Sequence, residues 1–155
     1  WVFLGEILLD IELEYDNPFT EDLCGSCTAC LDACPTDAFP EAYVLDSSKC
    51  ISYLTIEHRG DLPLEMENKL SGWIYGCDIC QEVCPWNITF SQLSNESSFL
   101  PREDFQQRPI TQWGKLTEEE FRILFKGSAV KRTKYRGLKR NVIHNTQLKN
   151  QQEDK

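Results

Sequence analysis

An α+β fold organised around eight cysteines is what this 155-residue sequence predicts, and three observations predict it. All eight cysteines fall between Cys24 and Pro85, in two runs that end alike: Cys24, Cys27, Cys30 and Cys34 before Pro35, and Cys77, Cys80 and Cys84 before Pro85, with Cys50 alone between them. Near the N-terminus, Leu9, Ile11 and Leu13 alternate with Asp10, Glu12 and Glu14, which is the period of a strand. The last third carries helix-start signals and helical periodicity. Together they give a ferredoxin-like domain for two [4Fe–4S] clusters over residues 21–92, with a helical insertion. Residues 1–20 precede it, and residues 93–155 add a loop-rich stretch and a short helical extension.

The first run reads C-x2-C-x2-C-x3-C-P, the bacterial ferredoxin spacing in which the fourth cysteine ligates the other cluster. A cubane offers four iron corners, each needing one thiolate. Cysteines three apart in an irregular loop wrap three corners, and the x3-C-P step sends the fourth thiolate away. The second run repeats the pattern with 26 residues, 51–76, where the first has two. Exchange of last ligands then gives one cluster on Cys24, Cys27, Cys30 and Cys84 and a second on Cys34, Cys50, Cys77 and Cys80. A zinc site with four thiolates or a set of four disulfides are the rival readings. Two x3-C-P endings fit two cubanes better than either.

The remaining elements follow from local signals. Residues 1–15 read as a strand or hairpin, broken by Asp16-Asn17-Pro18. Leu31 to Cys34 gives a short helical turn, and Tyr43-Val44-Leu45 a short strand against the cluster. Asp46 or Ser47 caps a helix that runs through residues 51–58, with Cys50 near its start, where helix amides favour negative charge. Gly60 ends it and Pro63 follows. A second helix covers Leu64 to Leu70. Beyond Pro85 the chain reads as loop to about Trp113. Thr117 and Glu120 form a capping box ahead of a helix over Glu118 to Phe125, ended by Gly127. A last helix runs from Val130 to Leu148, with Tyr135, Leu138, Val142 and Ile143 on one side and His144 at the surface.

Apolar residues make up 41% of the chain, enough for a modest core that the clusters would staple further. No run of 18 apolar residues occurs, so no membrane-spanning helix is expected. Thiolate-held clusters call for a reducing compartment, the cytoplasm. The net charge of −9 hides an asymmetry: nine of the 16 Lys and Arg lie between Arg122 and Lys149, where no Asp or Glu occurs. That is the form of a polyanion-binding flank on an acidic body, or of a solvated helix face that balances it. The start at Trp1-Val2-Phe3, within an apolar run and without a methionine, reads as that of a fragment.

The stretches CGSCTACLDACPTDAF, YVLDSSKCISYLTIEHRGDLP and GWIYGCDICQEVCPWN resemble the epoxyqueuosine reductases, as do WVFLGEILLDIEL before them and SAVKRTKYRGLKRNV after. The resemblance covers most of residues 1–145, and CISYLTIE and GCDICQ-x-VCPWN are far more specific than cysteine spacing alone. It implies a bacterial, cytoplasmic, monomeric enzyme. Two [4Fe–4S] clusters, fed by an external electron donor, would deliver electrons to cobalamin and reduce epoxyqueuosine at the wobble position of tRNA to queuosine. It further implies that Ser52, Tyr53, His58, Arg59 and Asp78 lie beside the corrin. The basic stretch Lys131, Arg132, Lys134, Arg136, Lys139 and Arg140 would lie on tRNA phosphates. The domain that holds much of the cobalamin and the proton donor in that family lies N-terminal to the stretch matched here, so no catalytic acid is named and this chain alone is expected to be inactive. A ferredoxin-type electron-transfer module and a corrinoid reductase of another substrate, akin to the reductive dehalogenases, are the alternatives.

Overall fold

The computed structural model describes every residue except Trp1, Phe3, Glu67, Pro101, Glu103, Asp104, Gln106, Gln107, Asp154 and Lys155, and for residues 147–153 the backbone alone. The described residues are helical, joined by irregular chain, with one isolated antiparallel bridge between Glu41 and Val44. The β part of the expected α+β fold thus shrinks to that bridge. Tyr43 turns the chain there with φ of 64°, so the expected strand 43–45 does not extend.

Residues 1–15, expected as a strand or hairpin, are irregular where described, and their apolar side chains are exposed: Leu4 is 95% and Leu8 97% exposed. Alternation supplies a face for a strand, but a strand needs backbone partners, and none pairs with this segment among the described residues.

Helix α1 (Ala29–Ala33) follows the first cysteine pair, and α2 (Ile51–Ile56) follows Cys50, which is its N-cap. Asp46, expected as the cap, instead accepts bonds from the Ser48 amide and hydroxyl in the turn before. The expected helix from Leu64 to Leu70 is a 3-10 turn, Leu64–Met66. Asn68 and Ser71, at φ of 69° and 51°, turn the chain away before it can continue. Helix α3 (Ile79–Glu82) packs on α1, and α4 (Pro85–Phe90) begins where a loop was expected. Pro85 occupies its first position, where a missing N–H costs nothing and the fixed φ suits a helix.

Two further helices, α5 (Ile110–Gly114) and α6 (Glu118–Leu124), pack on the long α7 (Lys134–Glu153). The capping box at Thr117 and Glu120 forms as its residues require. The predicted single helix from Val130 is divided at Lys134, whose φ is 63°: a 3-10 turn, Ala129–Thr133, precedes it. Ser128 starts that turn by accepting from the Val130 amide, and the turn directs the Thr133 hydroxyl inward.

The core joins Leu116, Phe121, Phe125, Leu138 and Val142, with Ile74 of the insertion packed against it. Phe125 lies 4.9 Å from the Phe121 ring, 5.3 Å from Phe105 and 6.0 Å from Trp113. Each buried side chain of this size contributes about 1.5–3 kcal/mol. Because α2 also packs on α7, the insertion between Cys50 and Cys77 rests on the C-terminal helices.

Candidate functional site

The two cysteine runs repeat in backbone geometry as well as in sequence. Thr28 and Asp78, which open α1 and α3, have φ, ψ of −118°, 8° and −113°, 4°. Cys34 and Cys84 have −69°, 115° and −68°, 121°, and Cys50 has −69°, 123°. Cys50 and Cys84 each stand at a helix N-cap, beside first-turn amides that favour a thiolate.

Cys24, Cys27, Cys30, Cys80 and Cys84 line one cavity of about 470 Å³. The indole of Trp86 closes the distance between the two ends of the stretch by donating to the Leu23 carbonyl at 3.0 Å. Asp22 holds the first loop, accepting from the amides of Cys24 and Gly25 and from the Tyr43 hydroxyl at 2.6 Å. The Tyr43 bond, then those from Gly25 and Cys24, hold the Asp22 carboxyl below its usual range, while the same contact pushes the Tyr43 phenol up to about 12.

Cys77 and Cys80 are part-buried, and burial pushes both thiols up. Cys50 lies close enough for its charge to add to both shifts. At Cys34, burial acts upward, but bonds from the Thr36 hydroxyl and the Ala38 amide outweigh it and leave the thiol lowered. Among the described residues no three His, Cys, Asp or Glu side chains converge on a point that one metal ion would occupy. Five thiols, those of Cys24, Cys27, Cys30, Cys80 and Cys84, line a cavity instead, and an all-sulfur donor set around a cavity suits an iron–sulfur cubane.

The residues expected beside the corrin separate into three places. Ser52, Tyr53 and His58 lie on or just after α2. Tyr53 is 40% exposed with its ring 6.5 Å from that of His58, whose Nε2 bonds the Asp61 carbonyl at 2.8 Å. Asp78 lines a different cavity, of about 690 Å³, with Gln81, Trp86, Asn87 and Phe90. The Arg59 guanidinium donates to the carbonyls of Ile56 and Arg132, both at 2.9 Å, and so caps α2 against the C-terminal segment.

The basic stretch also divides. The Arg140 guanidinium donates to the carbonyls of Leu54, His58 and Gly60 and to Asn141, at 2.6–3.2 Å, and so ties α2 to α7. Arg132 pairs with Glu57. Lys131 and Lys134 share a groove with Glu118 and Glu119, which offsets their charge. Arg136, Lys139 and Arg140 line a cavity of about 430 Å³ with Asp61, Tyr135 and His144, three cations to one carboxylate. His144, expected at the surface, is half-buried and accepts from the Asn68 amide at 3.3 Å.

Sequence reasoning missed Thr55, Thr133, Asn141 and Asn145, all buried and bonded to backbone of the insertion. A signal was available for two of them. Asn141 and Asn145 share the helical stripe of Leu138 and Val142, so polar side chains stand where the period calls for apolar ones.

Residues 23–87 match the family described as the 4Fe-4S double cluster binding domain. An epoxyqueuosine reductase from Cellulophaga algicola is 50% identical over 140 residues, 90% of this chain and 45% of that protein. The structure of epoxyqueuosine reductase from Bacillus subtilis matches with a TM-score of 0.77 and 34% identity, over 86% of this chain and 35% of that one. A crystal structure of epoxyqueuosine reductase with an epoxyqueuosine-modified tRNA-Tyr stem loop matches with a TM-score of 0.76 and 35% identity, over 85% and 34%. The chain spans about half the length of the curated relatives it matches.

Proposed function

We propose that this chain, which is similar to epoxyqueuosine reductases over 90% of its own length, serves the reduction of epoxyqueuosine to queuosine in tRNA as the part that carries two [4Fe–4S] clusters. The observation that carries the reading is the gathering of Cys24, Cys27, Cys30, Cys80 and Cys84, from both ends of the cysteine-bearing stretch, around one cavity. The approach of Cys50 to Cys77 and Cys80 supports the complementary set with Cys34. The matched dihedrals of the two runs support a ferredoxin-type unit over residues 21–92, braced by residues 93–155.

Removal of the epoxide oxygen to leave an alkene takes two electrons and two protons and releases water. When bound, the clusters supply electrons one at a time and cobalamin supplies the bond chemistry. The chain's own part is to hold and orient. Ser52, Tyr53 and His58 present a polar edge of α2 to the cofactor, and Asp78 stands at the start of α3, next to Cys77. Arg59 acts behind them by fixing the end of α2. Arg136 and Lys139 lie on tRNA phosphates, with Lys131 and Lys134 as a weaker flank, since phosphate contacts supply affinity and register rather than sequence reading. The enzyme works as a cytoplasmic monomer, where thiolates stay reduced; none of the described helices is long and apolar enough to cross a membrane.

The test uses the full-length protein prepared anaerobically. About eight irons and eight sulfides per chain are expected. With cobalamin and a reductant it should convert epoxyqueuosine in tRNA to queuosine, read by mass spectrometry of the digested RNA. Full cluster loading without conversion would leave an electron carrier and sink the reductase reading.

A further inference from the structure

The Thr55 hydroxyl joins the two ends of the insertion that separates Cys50 from Cys77. Thr55 is fully buried. Its Oγ1 donates to the Ile51 carbonyl at 2.7 Å and accepts from the Gly76 amide at 3.0 Å. Ile51 directly follows Cys50, and Gly76 directly precedes Cys77. One side-chain oxygen therefore ties together the two backbone positions that adjoin these thiols.

Thr55 is itself held from behind. Its carbonyl accepts from the Thr133 hydroxyl and from Asn141 Nδ2, each at 2.8 Å. Asn141 Nδ2 also reaches the Ile74 carbonyl at 2.9 Å, and Asn145 Nδ2 the Trp73 carbonyl at 2.9 Å. Gly137 leaves room for this arrangement: a Cβ there would stand 2.7 Å from Thr133 Oγ1. A hydroxyl offers one proton and two lone pairs, so a donated and an accepted bond together use it well. Bonds between buried groups fix geometry because losing a partner leaves the other unsatisfied.

We propose that Thr55 is a positioning residue for the second cluster, fixing the approach of Cys50 to Cys77, with α7 holding Thr55 in place. This rests on Cys34, Cys50, Cys77 and Cys80 being one cluster's ligands. The reduction potential of such a cluster depends on its surroundings and exposure. A shift in thiolate geometry at Cys50 and Cys77 therefore acts on that cluster and leaves the other alone.

The experiment is an anaerobic redox titration of the full-length, cluster-loaded protein, followed by EPR. Thr55→Val keeps the side-chain shape and removes both hydroxyl bonds. Its second-cluster signal should shift in potential or line shape while the first-cluster signal matches wild type, and Thr55→Ser should restore the wild-type spectrum. Thr133→Val, which removes only the outer support, should move the same signal less, and it keeps the question answerable if Thr55→Val does not fold. Unchanged signals in every variant, or equal changes in both clusters, would overturn the proposal. Cys24→Ala and Cys50→Ala tell the ligand assignment apart from the role of Thr55. If they do not remove different signals, the ligand assignment is at fault and not the role of Thr55.

Discussion

The Arg140 guanidinium and the Gly60 carbonyl meet at 2.6 Å. The same fork reaches Leu54 and His58, so one half-buried cation closes the C-terminal end of α2 onto α7. Burial, with the charge of Arg59 nearby, lowers its pKa from the usual arginine value. Arg140→Ala should destabilise the protein by about 2 kcal/mol, since it leaves several carbonyls short of a donor. Arg140→Lys should recover less than half of that, because an ammonium lacks the planar fork. Chemical denaturation under anaerobic conditions measures both, and full rescue by lysine would mean that charge alone matters.

The exposed cations separate by neighbourhood. Replacing Arg136 and Lys139 by Glu should abolish tRNA binding and leave cluster content unchanged. Replacing Lys131 and Lys134, which already face Glu118 and Glu119, should weaken it less. In a salt titration of tRNA affinity, each phosphate no longer neutralised should lower the slope of log K against log salt by about 0.7–0.9. Equal weakening from both pairs would place the RNA along the whole stretch.

Glu120 gives a pH dependence of known sign. Bonds from the Thr117 amide, at 2.7 Å, and then from the Thr117 hydroxyl hold its carboxyl below 4.5. A carboxylate lowered on folding stabilises above its unfolded value, and that contribution is lost as pH falls through the folded value. Glu120→Gln keeps a capping box but removes the charge. The difference in denaturation midpoint between wild type and this variant should be constant above pH 4.5 and shrink below it. Thr117→Ala should cost about 1 kcal/mol at neutral pH.

Cys84 and Cys80 stand four residues apart but belong, on the ligand assignment proposed above, to different clusters. Cys84→Ala should remove the first cluster, lowering iron and sulfide from about eight to about four each. Cys80→Ala should give the same totals with the other EPR signal missing. Identical residual spectra would mean that the two thiols share a cluster.

The parts of the molecule that are legible in its sequence are those fixed by neighbours in the chain. The capping box at Thr117 is set within a few residues and the structure forms it, whereas the helix read as capped by Asp46 or Ser47 takes Cys50 as its N-cap. Pro85 reads as the start of a loop, yet it stands at the first position of α4, because proline is compatible with a helix start as well as with a loop. Arg59 and Arg140 are not legible as structural groups. Their carbonyl partners lie 73 and 80–86 residues away, apart from the local bond to Ile56, and nothing in a basic run tells which cations face inward. The period-2 pattern of residues 9–14 describes one face of a strand and carries no information on a pairing partner.

The bonds that Thr133, Asn141 and Asn145 make to the insertion also impose an order in time. A ribosome adds residues at about 5–20 per second, N-terminus first. Every cysteine of the chain has therefore been synthesised seconds before α7 exists to brace Thr55. The cavity of Cys24, Cys27, Cys30, Cys80 and Cys84, bridged by Trp86, needs nothing made after it. Residues 23–87 are thus complete in the growing chain before the helix that braces Thr55 is made.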